Sequence, residues 1–151
     1  MPPRYYLDTS VFGGVFDSEF TYETSVLFEQ IETGYIKCVY SALAETELKR
    51  APERVRVFFQ NLRSDNLEKV DVNQAVLQLA RRYIDENVVG ITSFDDCIHI
   101  ALATFYQVDM LISWNFKHIV NPVRIPGYNS VNLQLGYKVI EIRSPRDILH
   151  A

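Results

Sequence analysis

Short β-rich runs alternate with longer helix-patterned stretches along this chain, and that alternation restricts the fold more than any single residue. Within Arg4 to Phe12 lies a short buried strand that ends at Asp8, and Tyr35 to Tyr40 reads as a second. Leu67 to Val72 is a short extended piece, Asp109 to Ser113 a compact apolar strand, and Lys138 to Ile142 the last strand. Between them, Val26, Leu27 and Ile31 predict a helix over 17–33, closed by Gly34. Ser41 is expected to cap a helix carrying Ala42, Leu43, Ala44 and Leu48, and Pro52 to open another. Asn73 should cap a long helix through Ile84, and Thr92 or Ser93 should open one over 95–106. Residues 116–120 read as a helical turn and 122–136 as loop, and Ser144 with Asp147 has capping-box-like spacing at a short terminal helix. Such alternation predicts an α/β fold: a parallel sheet with helices on both faces.

A sheet covered on both sides needs a sizeable core. The 151 residues, 48% hydrophobic and 23% charged, suit one soluble globular domain over 1–151. The formal net charge of -4 argues against bulk attraction to nucleic acid, although a local basic patch is compatible with it. Cys38 and Cys97 form neither a disulfide framework nor a CxxC pair, which fits a reducing, cytoplasmic setting. A secretory leader and a membrane span are not expected, because neither pattern occurs.

Polar residues gather where strands end and helices begin. Asp8 closes the first strand and is followed by Thr9 and Ser10; Glu47 lies in the helix after the second strand; Asp96 lies in a first helical turn; Asn115 follows the fourth strand. In a parallel sheet, strand C-termini and the following helix N-termini share one edge, where ligands bind. Asp8 and Asn115 should meet there, and Asp96 joins them if its helix starts at that edge. Carboxylates facing one pocket repel unless a cation is present, and hard divalent cations take oxygen ligands. Such clusters recur in phosphodiester hydrolysis. Each residue also has an ordinary use. Asp-Thr-Ser favours turns, Glu47 suits a solvated helix face, Asp96 complements a helix dipole, and Asn115 suits a turn or cap. The case for a site therefore rests on their conjunction.

The stretches Leu7-Asp8-Thr9-Ser10-Val11-Phe12, Ser41 through Glu47-Leu48, Asp96-Cys97-Ile98-His99-Ile100-Ala101-Leu102-Ala103 and Leu111-Ile112-Ser113-Trp114-Asn115 together resemble the PIN-domain family. The branch most similar is that of VapC-type toxin ribonucleases from toxin–antitoxin pairs. The resemblance implies a three-layer α/β/α sandwich with a central parallel sheet, and a Mg²⁺- or Mn²⁺-dependent endoribonuclease. It implies an acidic site of Asp8, Glu47 (preferred to Glu45) and Asp96 (preferred to Asp95), supported by Thr9, Ser10 and Ser113. It also implies an RNA substrate, an antitoxin partner and a homodimer. The chain departs from the family at Asn115, where an Asp is usual, and at Lys117, where another acid is frequent. An amide oxygen can still position water or a metal but brings no charge, so affinity for a second metal should weaken most.

Lys117 and His118 could contact substrate phosphate, or simply be surface residues on a turn. His99 reads as a packed histidine, with a supporting donor role as the alternative. Arg50, Arg54, Arg56 and Arg63 could steer RNA or an acidic partner, a solvated face being the default. A non-catalytic module binding RNA or protein remains the competing reading. A phosphatase of the haloacid dehalogenase type is discounted, because Ser10 stands where its second Asp is needed.

Overall fold

The computed structural model describes residues 1–149, with every side chain except that of Ser64. In chain order the elements are β1 (Arg4–Leu7), α1 (Thr9–Gly14), α2 (Thr21–Glu32), β2 (Lys37–Ser41), α3 (Ala42–Leu48), α4 (Glu53–Gln60) and β3 (Leu67–Val70). There follow α5 (Gln74–Asp85), α6 (Phe94–Phe105), β4 (Met110–Ile112), α7 (Ile125–Gln134), β5 (Ile142–Arg143) and α8 (Pro145–Leu149). All strand pairs are parallel, in the order β3-β2-β1-β4-β5. β1 is central, so Asp8, just beyond it, emerges in the middle of one sheet edge.

Alternation along the strands builds two cores. Tyr6, Val39 and Leu111 face one side and pack under α5, α6 and α7. Leu7, Cys38 and Ile112 face the other and pack with α1, α2 and α4. The layers are therefore α/β/α, as expected. Burying each large side chain contributes about 1.5–3 kcal/mol, and Tyr6, Leu7, Phe12 and Leu111 are all fully enclosed. Among the described residues, no helix is long and apolar enough to cross a membrane.

Four local expectations need correction. Residues 122–136 are not loop: 125–134 form α7, with Pro126 in the first turn where a missing N–H costs nothing. Gly127 is there for space, since a Cβ would stand 2.9 Å from Val88 Cγ1. The stretch after Asp8 is not a simple turn but α1, and its Gly14 lies against Trp114, whose Nε1 would be 2.7 Å from an added Cβ. The helix expected over 17–33 begins only at Thr21. The last strand shrinks to Ile142–Arg143, because Ile140 is bonded elsewhere: its N–H donates to Asn129 Oδ1 and its carbonyl accepts from Asn129 Nδ2. The caps are as anticipated. Ser41 Oγ accepts from Ala44 N, Asn73 Oδ1 accepts from Val76 N, and Ser144 and Asp147 bond each other's backbone N–H.

Candidate functional site

Asp8 is buried, with 4% of its surface exposed, at the exit of β1. Its backbone N–H donates to Ile112 O, which ties it to the end of β4. Two hydroxyls hold its carboxylate: Ser10 donates to Oδ1 at 2.6 Å and Ser113 to Oδ2 at 2.8 Å. Burial raises the Asp8 pKa; the His99 charge and the two hydroxyls oppose that rise, while Asp96 adds to it.

Thr9 does not serve Asp8. It donates to Glu47 Oε1 at 2.5 Å, and the same oxygen lies 2.7 Å from His99 Nε2. Glu45, by contrast, pairs with Lys69 on the surface. His99 is 2% exposed, yet it is more than a packed ring. Its Nδ1 lies 2.6 Å from Tyr6 Oη, which in turn lies 2.8 Å from Ser41 Oγ. With Nε2 protonated toward Glu47, a consistent chain runs from Ala44 N–H through Ser41, Tyr6 and His99 to Glu47. Every buried polar atom on that path then has a partner. Burial disfavours the His99 cation, but the Glu47 hydrogen bond and the charges of Asp8, Glu47 and Asp96 outweigh it and raise the pKa. Burial likewise opposes ionisation of Glu47, and the His99 and Thr9 bonds outweigh it and lower the pKa.

Asp96 sits in the first turn of α6. That helix starts at the Asp8 edge and ends by Tyr106, whose carbonyl accepts from Arg4 at the opposite edge. Its Oδ2 lies 3.0 Å from His118 Nδ1, while Asp95 is exposed. His118 belongs to a turn that closes on Asn115. Asn115 Oδ1 accepts from His118 N, and Asn115 N donates to Ser113 Oγ. The Asn115 amide oxygen therefore caps a turn, and a role in positioning water rests on its second lone pair. Tyr128 donates to His118 O, and Arg124 spans Lys117 O and Val88 O, so the turn is clamped from below. Lys117 is exposed beside it.

Among the described residues, no three His, Cys, Asp or Glu side chains stand together as a ready ligand set. Each acid does keep coordinating capacity. Asp8 uses one lone pair per oxygen, Glu47 bonds through Oε1 and Asp96 through Oδ2. The donors are all hard oxygens, and Mg²⁺ needs only one or two carboxylates with waters completing its shell. Hard-oxygen donors with spare lone pairs are therefore present at this edge, without the grouping of a closed cage among the described residues. The hydrogen bonds joining Thr9 and His99 to Glu47, and His118 to Asp96, span 38, 52 and 22 positions, so no sequence period announced them.

No protein-family model matches the chain, and no curated protein does either. Solved structures do. VapBC2 from Rickettsia felis, bound to a DNA fragment from its promoter, aligns with a TM-score of 0.59 and 12% identity over 93% of this chain and 98% of that one. FitAcB from Neisseria gonorrhoeae aligns with a TM-score of 0.59 and 12% identity over 94% and 98%. At that identity the likeness concerns the fold, a PIN-like three-layer α/β/α sandwich around an all-parallel sheet.

Proposed function

We propose that this chain is a Mg²⁺- or Mn²⁺-dependent endoribonuclease of PIN type, the toxin of a type II toxin–antitoxin pair. The observation that supports the reading is the placement of Asp8 at the exit of β1, Glu47 in α3 bonded to His99, and Asp96 in the first turn of α6 bonded to His118, all toward one sheet edge. The VapBC2 fold neighbour bears the name of the branch that the sequence motifs resemble.

Asp8, Asp96 and Glu47 would hold the cation. The bound cation would supply a Lewis acid for phosphodiester hydrolysis. Ser10 and Ser113 aim the Asp8 carboxylate and favour its charged form against burial, and His99 and Thr9 do the same for Glu47. Asn115 fixes the turn that carries Lys117 and His118 toward substrate phosphate. RNA is the substrate, a small antitoxin protein the partner, and a homodimer the working form.

The competing reading is a PIN-like module that binds RNA or protein without cutting. Two observations favour it: the Asn115 oxygen is occupied by the turn, and the His118 imidazole sits on Asp96. Cleavage of a panel of structured RNAs with Mg²⁺, Mn²⁺ or chelator, alongside Asp96→Asn, separates the two. Metal-dependent cutting lost in Asp96→Asn supports the enzyme. Tight RNA binding without cutting under every condition supports the module. Co-purification with the product of an adjacent small reading frame tests the toxin role, and sedimentation tests the dimer.

A further inference from the structure

Phe116 is exposed over 45% of its surface and lies on the turn that joins the two sides of the acidic site. One end of that turn reaches the hydroxyls holding Asp8: Trp114 N donates to Ser10 Oγ and Asn115 N to Ser113 Oγ. The other end reaches Asp96 through His118. Two or three residues reach at most about 7–11 Å, which bounds how far the Phe116 backbone lies from the residues that hold Asp8 and Asp96.

A lone exposed aromatic residue is ordinary on a protein surface. This one is backed by a fixed aromatic wall. Trp114 stacks on Phe20 with centroids 4.0 Å apart and planes 16° apart, and Phe116 packs edge-on to Trp114 at 5.9 Å. The Arg146 guanidinium lies 5.5 Å from the Trp114 ring centroid and 5.9 Å from that of Phe20. Trp114 Nε1 donates to Thr24 Oγ1, and Gly14 leaves the indole its space. The turn backbone is pinned as well: Ile119 N and Val120 N both donate to Asn115 O. The ring is thus presented at little entropic cost, as a rigid apolar surface next to an acidic centre and followed directly by the exposed Lys117.

We propose that Phe116 is a stacking platform for a base of the RNA strand adjacent to the scissile phosphate. The inference rests on the ribonuclease reading and names how the strand is held there. Every base has a π face, so such a platform aligns the backbone without demanding a sequence. The scissile phosphate would lie toward the cation that Asp8 and Asp96 would hold, while the neighbouring base lies on Phe116 and Lys117 offsets the next phosphate charge. A protein partner using the same ring is the alternative that the test must exclude.

The test uses the full chain with an RNA oligonucleotide carrying one 2-aminopurine, moved position by position, in Mn²⁺ buffer. Phe116→Ala, Phe116→Leu and Phe116→Trp are compared with wild type. The expected result is rapid fluorescence quenching on mixing, confined to one or two positions. It should be kept in Phe116→Trp and lost in Phe116→Ala and Phe116→Leu. KM should rise roughly fivefold to a hundredfold in those two variants, with kcat changing less. Leucine keeps apolar contact with Trp114, so its failure isolates the π face from simple packing. If the wild type cuts and Phe116→Ala or Phe116→Leu leaves KM and quenching unchanged, the platform is overturned while the ribonuclease stands. If the wild type neither cuts nor binds the RNA, both fall together.

Discussion

The two halves of the candidate site are built differently. The Asp8–His99 half is sunk between β1 and α6 and is held by hydroxyls, a phenol and an imidazole, with Glu47, its side chain 31% exposed, as its outer end. The Asp96–His118 half is partly exposed, and a surface turn supplies its partner. Buried polar networks are costly when broken and rigid when complete, whereas partly exposed pairs contribute little to stability and rearrange cheaply. The contrast suggests a division of labour: one half is preorganised, and the other can yield its imidazole when a cation or phosphate arrives.

Several variants would sharpen or break this contrast. The largest effects should come from the acids themselves. Asp8→Asn and Asp96→Asn should each lower RNA cleavage by more than the roughly 10–100-fold typical of partners around a metal site. The stability responses should differ, however. In thermal melts Asp8→Asn should lower Tm by a few degrees, because an amide N–H₂ replaces an oxygen that accepts from Ser10 or Ser113, whereas the partly exposed Asp96→Asn should leave Tm nearly unchanged. Equal losses in the two variants would count against the contrast. Next comes Tyr6→Phe, which strips the phenol from Ser41 and His99 inside the core. Leaving buried partners unsatisfied costs about 1–3 kcal/mol, or roughly 2–10 °C in Tm for a chain of this size. His118→Ala should leave Tm nearly unchanged, within about 0.5 kcal/mol, and alter Mn²⁺ affinity measured by calorimetry. Equal Tm losses in Tyr6→Phe and His118→Ala would erase the distinction between the halves.

The smallest effect provides a control far from the site. The Arg4 guanidinium, 2.6 Å from Glu68, lowers the Glu68 pKa through a hydrogen bond, with burial opposing and further charge attraction assisting. A depressed folded-state pKa means stability that is present above the unfolded value and lost as pH falls through the folded one. Both groups are about one-third exposed, so the contribution should stay under about 1 kcal/mol. Glu68→Gln should remove that acid-limb loss in pH-dependent melts and leave cleavage untouched.

The parallel architecture was legible because the strand–helix alternation is a local pattern repeated along the chain. Caps at Ser41, Asn73 and Ser144 were legible for the same reason: each bonds a backbone N–H three residues on. Helix α7 was not, since Pro126 and Gly127 read as breakers and one of its inward residues is a polar Asn132. That Asn is satisfied only in three dimensions, by Tyr83, Thr104 and Asn129. Helix α1 was hidden similarly, because Gly13-Gly14 signals a turn and the close approach of Trp114 cannot be read from sequence. Within the site, the strand-end acid stood out from its neighbours. The partition of Thr9 to Glu47 and Ser10 to Asp8 did not, because adjacent hydroxyls look alike until the backbone turns them to different sides. The buried path through Tyr6 and His99 joins residues 93 positions apart and has no linear signature.

The Asn129 side chain gives and receives one hydrogen bond with the backbone of Ile140, as a neighbouring strand residue would. An amide group thereby imitates a single rung of β-ladder and then stops. That rung stands just before the edge strand β5 and is made by a side chain that cannot propagate the ladder. A foreign strand seeking to add itself beside Ile140 would have to displace that amide first. Self-association that grows sheet upon sheet, the usual hazard of an unprotected edge, is blocked at this level of the molecule.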